Sequence, residues 1–299
     1  MNPIINKLFY ADKWNIGYVD QTPYELIKNK GLARQKNWLV EDRSLYAADP
    51  FVINNESGTY IFYEDLPQIF NKGQIKMIRH FSFPTKLMVR GFADKIHLSY
   101  PYIFKDRNKF YCIPESSELK QIALYEFTDE SFTEVEKRTV LLEGEPFVDS
   151  SIIWLNNKYW LFTSVKGFAN QFRIYYADTL TGPFLPHALN PITHAKKQVR
   201  GAGSLFVVDG VLYRPTQNVE FKYGNSVIIN KITDLTETTY NSEAVFEILP
   251  EKPYGEGLHN ISVTDNLIVF DGKRRVFSSV MPLKKLARKL LYYNQLLFR

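Results

Sequence analysis

The stretch FVDSSIIWLNNKYWLFTS, residues 147–164, contains the pattern that decides the fold. A short apolar strand, SSIIW, is followed by the polar turn LNN and then by an aromatic-rich strand, KYWLFTS. β-Branched and aromatic residues favour strands, and a short polar linker between two such runs is typical of an antiparallel hairpin. The same order returns at four further places, whose opening strands are DPFVI, YPYIF, GSLFVV and HNISV.

These five hairpins recur at nearly constant spacing. The steps from Pro50 to Pro101, Ser151, Ala202 and Asn260 are 51, 50, 51 and 58 residues. Antiparallel strands repeated every 40 to 50 residues or so are typical of the blades of a β-propeller.

The sequence therefore predicts an all-β fold, a single five-bladed β-propeller formed by residues 1–282. Its blades open near positions 49, 100, 149, 201 and 259. The segment Trp14–Asp20 has no repeat of its own, so we expect this N-terminal strand to complete the last blade. Such closure removes the open sheet edges that would otherwise invite aggregation.

Residues 283–299, LKKLARKLLYYNQLLFR, differ from the rest of the chain because they carry five basic residues and no acid. The net charge of the whole chain is +5, so these residues account for it. The pattern predicts a short C-terminal amphipathic helix, which either contacts a membrane surface or packs on the propeller with its basic face in solvent. The expected apolar face is Leu283, Leu286, Leu290, Leu291, Leu297 and Phe298, and the expected basic face is Lys284, Lys285, Arg288, Lys289 and Arg299.

The rest of the chain narrows the class of protein. A nucleic-acid binder usually spreads basic charge over its domain, so we expect no nucleic-acid partner. No apolar run reaches the roughly 18 residues of a membrane span, and the N-terminus lacks the pattern of a secretory signal. The single cysteine, Cys112, lies in the apolar strand FYCIPE and is interpreted as a core residue. These features predict a cytoplasmic protein, peripheral at the inner face of the cytoplasmic membrane if the helix binds lipid.

In a propeller, the first strand of every blade lines one central channel, so matching positions of the repeats converge on one funnel. Buried charged groups are costly unless they are paired or serve a ligand, so their convergence indicates a functional site. The candidate catalytic residues are Asp49, Glu115 and Asp149. The candidate substrate-binding residues are Tyr100, Arg200, Gln217, Glu256, His259 and Asp271.

The sequence predicts neither a metal nor a cofactor. It contains no Asp-x-Asp motif, no HExxH and no cysteine–histidine cluster. Gly201-Ala202-Gly203 lacks the third glycine of a dinucleotide-binding motif and continues as a strand.

A family resemblance rests on motifs in every blade: DPF, SYPYIF with PESS, the Asp149 strand, TGPFLPH, RGAG, YRPTQN with YG, and GLHN. From about residue 40 to 275 the sequence resembles the N-terminal propeller domain of plant glucosamine inositolphosphorylceramide transferases and its bacterial stand-alone relatives. More distantly, it resembles the five-bladed propellers of glycoside hydrolase families 43 and 32.

The resemblance implies a carbohydrate-active protein. In the family 43 pattern the aspartate of the first blade, here Asp49, is the general base, and a glutamate is the general acid. The order differs here, because Glu115 lies in the second repeat and Asp149 in the third. The bacterial relatives imply a role in the synthesis of surface polysaccharide, either capsule or lipopolysaccharide.

The first hypothesis for function is a glycosyltransferase that uses an activated sugar donor and a glycan acceptor. In one form of this hypothesis, the activating group of the donor is a nucleotide. Asp49 would deprotonate the acceptor hydroxyl, Glu115 and Asp149 would position the sugar or hold protons, and Arg200 and His259 would face a leaving phosphate. One alternative is an intracellular glycosidase that acts on furanosides. The other is a propeller that binds carbohydrate without catalysis.

Overall fold

The computed structural model describes residues 5, 8–41, 46–67, 72–79, 85–93, 96–194 and 198–297 and shows five antiparallel sheets arranged as the blades of a propeller. This confirms the predicted fold class. Each blade runs from its inner strand to the rim in chain order, except the fifth. For residues 85, 86, 288 and 291–297 the structure describes the backbone only.

The N-terminal segment contains the first two strands and a helix. They are β1 (Tyr10–Asp20), α1 (Pro23–Asn29) and β2 (Asn37–Trp38).

Blades 1 and 2 have four strands each. Blade 1 contains β3 (Tyr46–Asn55), β4 (Gly58–Leu66), β5 (Gln74–Arg79) and β6 (Thr85–Met88). Blade 2 contains β7 (Ser99–Asp106), β8 (Lys109–Glu115), β9 (Gln121–Phe127) and β10 (Val135–Glu143), with a 3₁₀ turn at Ser117–Leu119.

Blade 3 has five strands and blade 4 has four. Blade 3 contains β11 (Phe147–Leu155), β12 (Lys158–Val165), β13 (Gln171–Ala177), β14 (Leu185–Pro186) and β15 (Ile192–Thr193). Blade 4 contains β16 (Phe206–Val208), β17 (Val211–Asn218), β18 (Ser226–Leu235) and β19 (Tyr240–Ile248).

Blade 5 joins the two ends of the chain. It contains β20 (Ile261–Val263) and β21 (Leu267–Phe277), and its strand order is β20-β21-β1-β2. Strand β1 pairs with β21 along its whole length, from Tyr10 opposite Phe277 to Asp20 opposite Leu267. The predicted closing strand is thus present and begins four residues before Trp14.

Helix α1 is a feature that the sequence analysis did not predict. Thr22 and Glu25 form a reciprocal capping box: the Thr22 hydroxyl accepts from the Glu25 N–H at 3.1 Å, and the Glu25 carboxylate accepts from the Thr22 N–H at 2.9 Å. Pro23 occupies the first turn, where its missing N–H costs nothing, and Leu26 is fully buried. Capping and one buried leucine stabilise a helix too short to show a 3.6-residue pattern.

The blades are held together by large apolar side chains at their interfaces. One buried cluster includes Phe51 and Phe62 of blade 1, Tyr102 and Cys112 of blade 2, and Leu161 of blade 3. Cys112 is fully buried, and burial raises the pKa of its thiol well above the ordinary value, as expected of a packing residue.

The C-terminal helix, α2, extends over Met281–Leu297 and begins two residues before the predicted start. The described side chains of its apolar face are exposed, with Leu283 at 68%, Leu286 at 54% and Leu290 at 57%. Phe298 and Arg299, which the prediction included, lie outside the described residues, as do the side chains of Arg288, Leu291 and Leu297. No helix in the described part of the chain is long and apolar enough to cross a bilayer.

Candidate active site

The inner strands of blades 1, 2 and 3 each contain a β-bulge at the mouth of the central funnel. In blade 1 the pairing of β3 with β4 shifts between Ala48 and Phe51, and equivalent shifts occur in blades 2 and 3. The residues in the shifts, Asp49, Tyr100 and Asp149, have positive φ angles of 51°, 44° and 53°. Because a bulge re-aims the side chain of the extra residue, the repeat turns these three residues toward the axis.

Asp49 lies at the centre of a buried network and is 7% exposed. Its Oδ2 accepts a hydrogen bond from the Tyr100 N–H at 3.2 Å, and its Oδ1 lies 3.4 Å from His259 Nε2. Its own N–H donates to Asp271 Oδ2 at 3.1 Å. These contacts, made by blades 1, 2 and 5, fix the orientation of the carboxyl group.

His259 fills the space between two carboxylates. Its Nδ1 lies 2.5 Å from Asp271 Oδ2, and its ring stacks on Trp14 with a centroid distance of 4.1 Å. Burial lowers the pKa of His259, but the carboxylates of Asp271 and Asp49 outweigh burial and raise it above its ordinary value. His259 therefore favours the imidazolium form and stabilises negative charge on Asp49.

Asp149 forms an ion pair with Arg200, whose Nε donates to Asp149 Oδ2 at 2.6 Å. The Asp149 side chain is 4% exposed, whereas the Arg200 side chain is 23% exposed. Burial alone would lower the pKa of Arg200, but Asp149 raises it above the ordinary value. Arg200 is therefore a permanently charged group that both holds Asp149 and reaches the open part of the funnel.

Glu115 ends the second strand of blade 2, Glu64 lies two residues before the end of the second strand of blade 1, and both face the same funnel. Burial and the charge of Asp149 raise the pKa of Glu115 to about 8, although Arg200 opposes them. Burial and the charges of Asp49 and Glu115 raise the pKa of Glu64 well above its ordinary value. Glu115 therefore holds a proton at neutral pH.

The carboxyl groups of the funnel thus differ in protonation. Burial raises the pKa of Asp49 to about 6, with the charge of His259 acting in the opposite direction. At pH 7 most of Asp49 is ionised while most of Glu115 is protonated. Carboxyl groups whose pKa values are separated in this way can serve as a base and an acid in one reaction.

Two of the predicted substrate-binding residues lie in the floor of the funnel. The Tyr100 hydroxyl accepts from the Gly203 N–H at 2.8 Å and donates to the Gly203 carbonyl at 3.0 Å. Gln217 is 1% exposed and donates to the Gly201 carbonyl at 2.9 Å. The Tyr100 hydroxyl and the Gln217 amide nitrogen thus contact the backbone of blade 4, whereas Gln217 Oε1 is buried without a hydrogen-bond partner among the described residues.

The other predicted binding residues separate into three groups. His259 and Asp271 are 2% and 0% exposed and lie behind Asp49, so they orient that carboxylate and do not face a leaving phosphate. Glu256 lies on the rim, 52% exposed, with its carboxylate 3.5 Å from Lys222 Nζ. Arg200 combines a permanent charge with a partly exposed side chain beside the buried Asp149.

The sequence contains no recognisable metal motif, but the fold brings metal-ligand types together. Asp49, His259 and Asp271 each offer an atom within 4.8 Å of the others. The donors come from blades 1 and 5, so their grouping follows from ring closure and not from local spacing. This set could hold a cation, and in the structure the imidazole and the two carboxylates compensate one another's charge.

Four residues of the site were not among the predicted catalytic or binding residues. Glu64 lies near the end of a second strand, as Glu115 does, so its place in the repeat could have included it. Tyr223 lies on the loop between β17 and β18, and Lys273 donates to its carbonyl at 3.0 Å. Trp14 lies in β1, the N-terminal strand that completes blade 5, and no repeat in the sequence marks its position.

The raised pKa of Glu115 predicts a gain in stability when its charge is removed. A carboxyl group with a raised folded-state pKa destabilises the fold as pH rises from its unfolded value, near 4.5, through about 8. The variant Glu115→Gln should therefore have a higher free energy of unfolding than wild type at pH 8, by roughly 2 to 4 kcal/mol, and a smaller gain at pH 5. Urea unfolding at both pH values measures this difference; an equal change at both pH values would contradict it.

The fold and the site define a class: a five-bladed propeller whose central funnel holds carboxyl groups of separated pKa. The family model "Glucosamine inositolphosphorylceramide transferase 1, N-terminal" matches residues 33–261, and the chain belongs to this family. The protein of that name from Oryza sativa subsp. japonica is 29% identical over 275 residues, which cover 83% of this chain and 37% of the relative. The Arabidopsis thaliana protein is 30% identical over 211 residues, covering 68% and 27%. This chain therefore spans about a third of the length of the curated relatives it matches.

Solved structures share the fold at low sequence identity. A thermostable family-43 glycoside hydrolase superposes with a TM-score of 0.50 and 16% identity, covering 65% of this chain and 73% of the hydrolase. The exo-β-1,3-galactanase 1,3Gal43A from Clostridium thermocellum gives a TM-score of 0.51 and 16% identity, covering 68% and 48%. These similarities confirm the expected relationship to family 43 propellers at the level of the fold.

Proposed function

We propose that the protein is a carbohydrate-active enzyme that transfers a glycosyl group, with the central funnel as its active site. The observation that carries the proposal is the coexistence, in one funnel, of Asp49 with a pKa of about 6 and Glu115 with a pKa of about 8. Making or breaking a glycosidic bond needs one carboxylate as base and one carboxyl as acid. Membership of a family named for a glycosyl transferase supports the same class of chemistry.

The proposed step uses these two groups in sequence. An acceptor hydroxyl attacks the anomeric carbon and loses its proton to Asp49, while the bond from that carbon to the leaving oxygen breaks. Glu115 donates its proton to that leaving oxygen, and solvent later returns both residues to their starting states. His259 favours the ionised form of Asp49, Asp271 orients both His259 and the backbone of Asp49, and Arg200 keeps Asp149 in place.

In its finer form, the proposal keeps the glycosyltransferase hypothesis. The donor is an activated sugar, the acceptor is a glycan, and the product belongs to a bacterial surface polysaccharide, either capsule or lipopolysaccharide. Arg200, with 23% of its side chain exposed, is the cation that would contact a phosphate leaving group. The name of the plant relatives and the resemblance to bacterial stand-alone domains support this form.

A specific observation favours the glycosidase alternative. A phosphate leaving group needs positive charge more than a proton, whereas a sugar or alkyl oxygen needs an acid. The protonated Glu115 suits the second kind of leaving group. An enzyme that cleaves glycosides, furanosides included, is therefore the second candidate.

Product analysis distinguishes the glycosyltransferase, the glycosidase and the carbohydrate-binding module. The protein is incubated with p-nitrophenyl glycosides or with nucleotide sugars, in water and in water with added methanol, and products are identified by mass spectrometry. Methyl glycoside formation from a nucleotide sugar, lost in Asp49→Asn, supports the transferase. Free sugar from p-nitrophenyl α-L-arabinofuranoside or β-galactopyranoside supports the glycosidase. Thermal stabilisation by these compounds without any product indicates a binding module and contradicts the proposed catalysis.

We also propose that α2 contacts a membrane surface, at the cytoplasmic face. The exposed apolar side chains around this helix are Phe277, Val280, Leu283, Leu286 and Leu290, between 47% and 68% accessible. Basic side chains flank them, and residues 283–299 contain no acid, so an anionic lipid surface complements both their polarity and their charge.

The position of α2 suits a substrate delivered at the membrane. The second strand of each blade runs toward the funnel mouth, and β21 continues past Asp271 to Phe277 in this direction before α2 begins. Lys285 Nζ donates to the Tyr10 carbonyl at 2.8 Å and ties the helix to the end of β1. The helix therefore emerges on the face that carries the active-site opening.

The double variant Leu283→Asp with Leu286→Asp should bind vesicles of phosphatidylcholine and phosphatidylglycerol at least about tenfold more weakly than wild type, because burying leucine supplies most of the binding free energy. Co-sedimentation measures the partition. The control is Leu185→Asp with Leu189→Asp, which changes two comparably exposed leucines of blade 3, at 52% and 49%. Equal loss of binding in the two double variants would contradict the membrane proposal.

A further inference from the structure

The loop of residues 219–225 connects β17 to β18 at the mouth of the funnel, and its end is anchored on blade 5. The Gly224 carbonyl accepts from the Leu258 N–H at 3.0 Å, and a Cβ at Gly224 would lie 2.7 Å from the Trp14 ring. Lys273 Nζ donates to the Tyr223 carbonyl at 3.0 Å. The backbone at Tyr223 is therefore held in place by contacts outside its own loop.

This anchoring places the Tyr223 ring over the charged groups of the site. The ring edge meets His259 at a centroid distance of 5.3 Å and an angle of 80°, and Arg200 Cζ lies 5.7 Å from the ring. Burial raises the pKa of the Tyr223 hydroxyl, and the charges of Asp49 and Asp149 add to the effect, against that of Arg200. The residue as a whole is nevertheless 50% exposed.

A second exposed aromatic side chain lies on the same loop. Phe221, two residues before Tyr223, is 86% exposed. Lys222 lies between them in sequence and pairs with Glu256 at 3.5 Å, which fixes the loop to the segment before β20. The loop therefore presents two exposed aromatic rings and is held by contacts with blade 5.

We propose that Tyr223 is the sugar-stacking residue of the funnel and that Phe221 stacks the next sugar unit outward. A sugar ring has an apolar face of C–H groups and a polar edge of hydroxyls. Tyr223 offers a fixed apolar surface to the C–H face of the sugar, while Asp49, Glu115 and Asp149 accept hydrogen bonds from its hydroxyls. The inference rests on the proposed function and deepens it, because it makes the ligand a pyranose or furanose of a chain at least two units long.

The test measures binding, separately from turnover. Methyl glycosides of arabinose, galactose, glucose and N-acetylglucosamine are titrated by calorimetry into Glu115→Gln, and the methyl monosaccharide that binds is retained as the probe. Tyr223→Ala in this background should weaken the probe at least about tenfold, whereas Tyr223→Phe should stay within about threefold. Phe221→Ala should weaken the matching methyl disaccharide and leave the monosaccharide within about twofold. Tyr24→Ala, which removes a ring 53% exposed on α1, is the matched control.

Each outcome bears on a defined part of the proposal. Equal losses in Tyr223→Phe and Tyr223→Ala would assign the effect to the hydroxyl and overturn stacking. Probe binding that Tyr223→Ala leaves unchanged would overturn the inference while the proposed function stands. If none of the probes binds Glu115→Gln or wild type, the proposed function fails and the inference fails with it.

Discussion

Replacing Glu115 by Gln is expected to lower kcat by about 10²- to 10⁴-fold, the range typical of losing a general acid. The amide keeps the shape of the side chain but has no proton to give to the leaving oxygen. Asp49→Asn should cause a loss of similar size, because the amide cannot accept the acceptor's proton. Glu143→Gln, which changes an exposed glutamate on the outer strand of blade 2, is the control and should retain wild-type kcat.

The pH dependence of kcat/KM tests the separate roles of Asp49 as base and Glu115 as acid. Asp49 must be ionised and Glu115 protonated, so the rate should rise through about pH 6 and fall through about pH 8. Residual activity of Glu115→Gln should lack the upper limb, and that of Asp49→Asn should lack the lower one. An unchanged upper limb in Glu115→Gln would remove Glu115 from the role of acid. The upper limb should also stay unchanged in Glu115→Gln if the leaving group is a phosphate, because a phosphate needs no proton from Glu115. The experiment therefore also reports on the leaving group.

The variant Gly203→Ala is expected to lower the free energy of unfolding by about 3 kcal/mol or more. Gly203 has a φ of +125°, and a Cβ there would coincide with the carbonyl oxygen of Ile261. Its carbonyl accepts from the hydroxyls of Tyr100 and Ser151, so the same position joins blades 2, 3, 4 and 5. Displacing this backbone should disturb the floor on which Asp49 and Asp149 rest.

A matched glycine separates the clash from backbone strain. Gly144 has a φ of +109°, and a Cβ there would meet no atom within 4 Å. Gly144→Ala should therefore cost about 1 kcal/mol, from strain alone. Urea unfolding followed by tryptophan fluorescence measures both variants. Equal losses would show that the contact with Ile261 relaxes at little cost and that the floor of the funnel is not rigid.

The fold could be predicted because its signal is repeated. Each blade presents a strand, a tight turn and an aromatic strand, and five copies at nearly constant spacing leave few alternative architectures. The closing strand was predictable because Trp14–Asp20 reads as a strand but belongs to none of the five repeats. Helix α1 was missed because its stability depends on one capping box and one buried leucine, which local periodicity does not reveal.

Part of the site was predictable for the same reason. Asp49, Glu115, Asp149 and Arg200 occupy repeat positions that a ring must bring to its axis, and the structure brings all four together. Repeat position also selected Tyr100 and His259, but it could not tell a side chain that opens to the funnel from one committed to a neighbouring blade. That distinction depends on partners about 50 or more residues away, such as Gly203 for Tyr100 and Asp49 for His259.

The architecture, the number of blades and the convergence of acids on one axis follow from the periodicity of the chain and from the alternation of strand residues. The protonation of those acids and the aromatic rings that lie beside them depend on the assembled ring of blades. A pKa depends on burial and on neighbouring charges, and both arise when distant blades meet. Asp49 differs from Glu115 through its contacts with His259 and Tyr100, which lie 210 and 51 residues further along the chain.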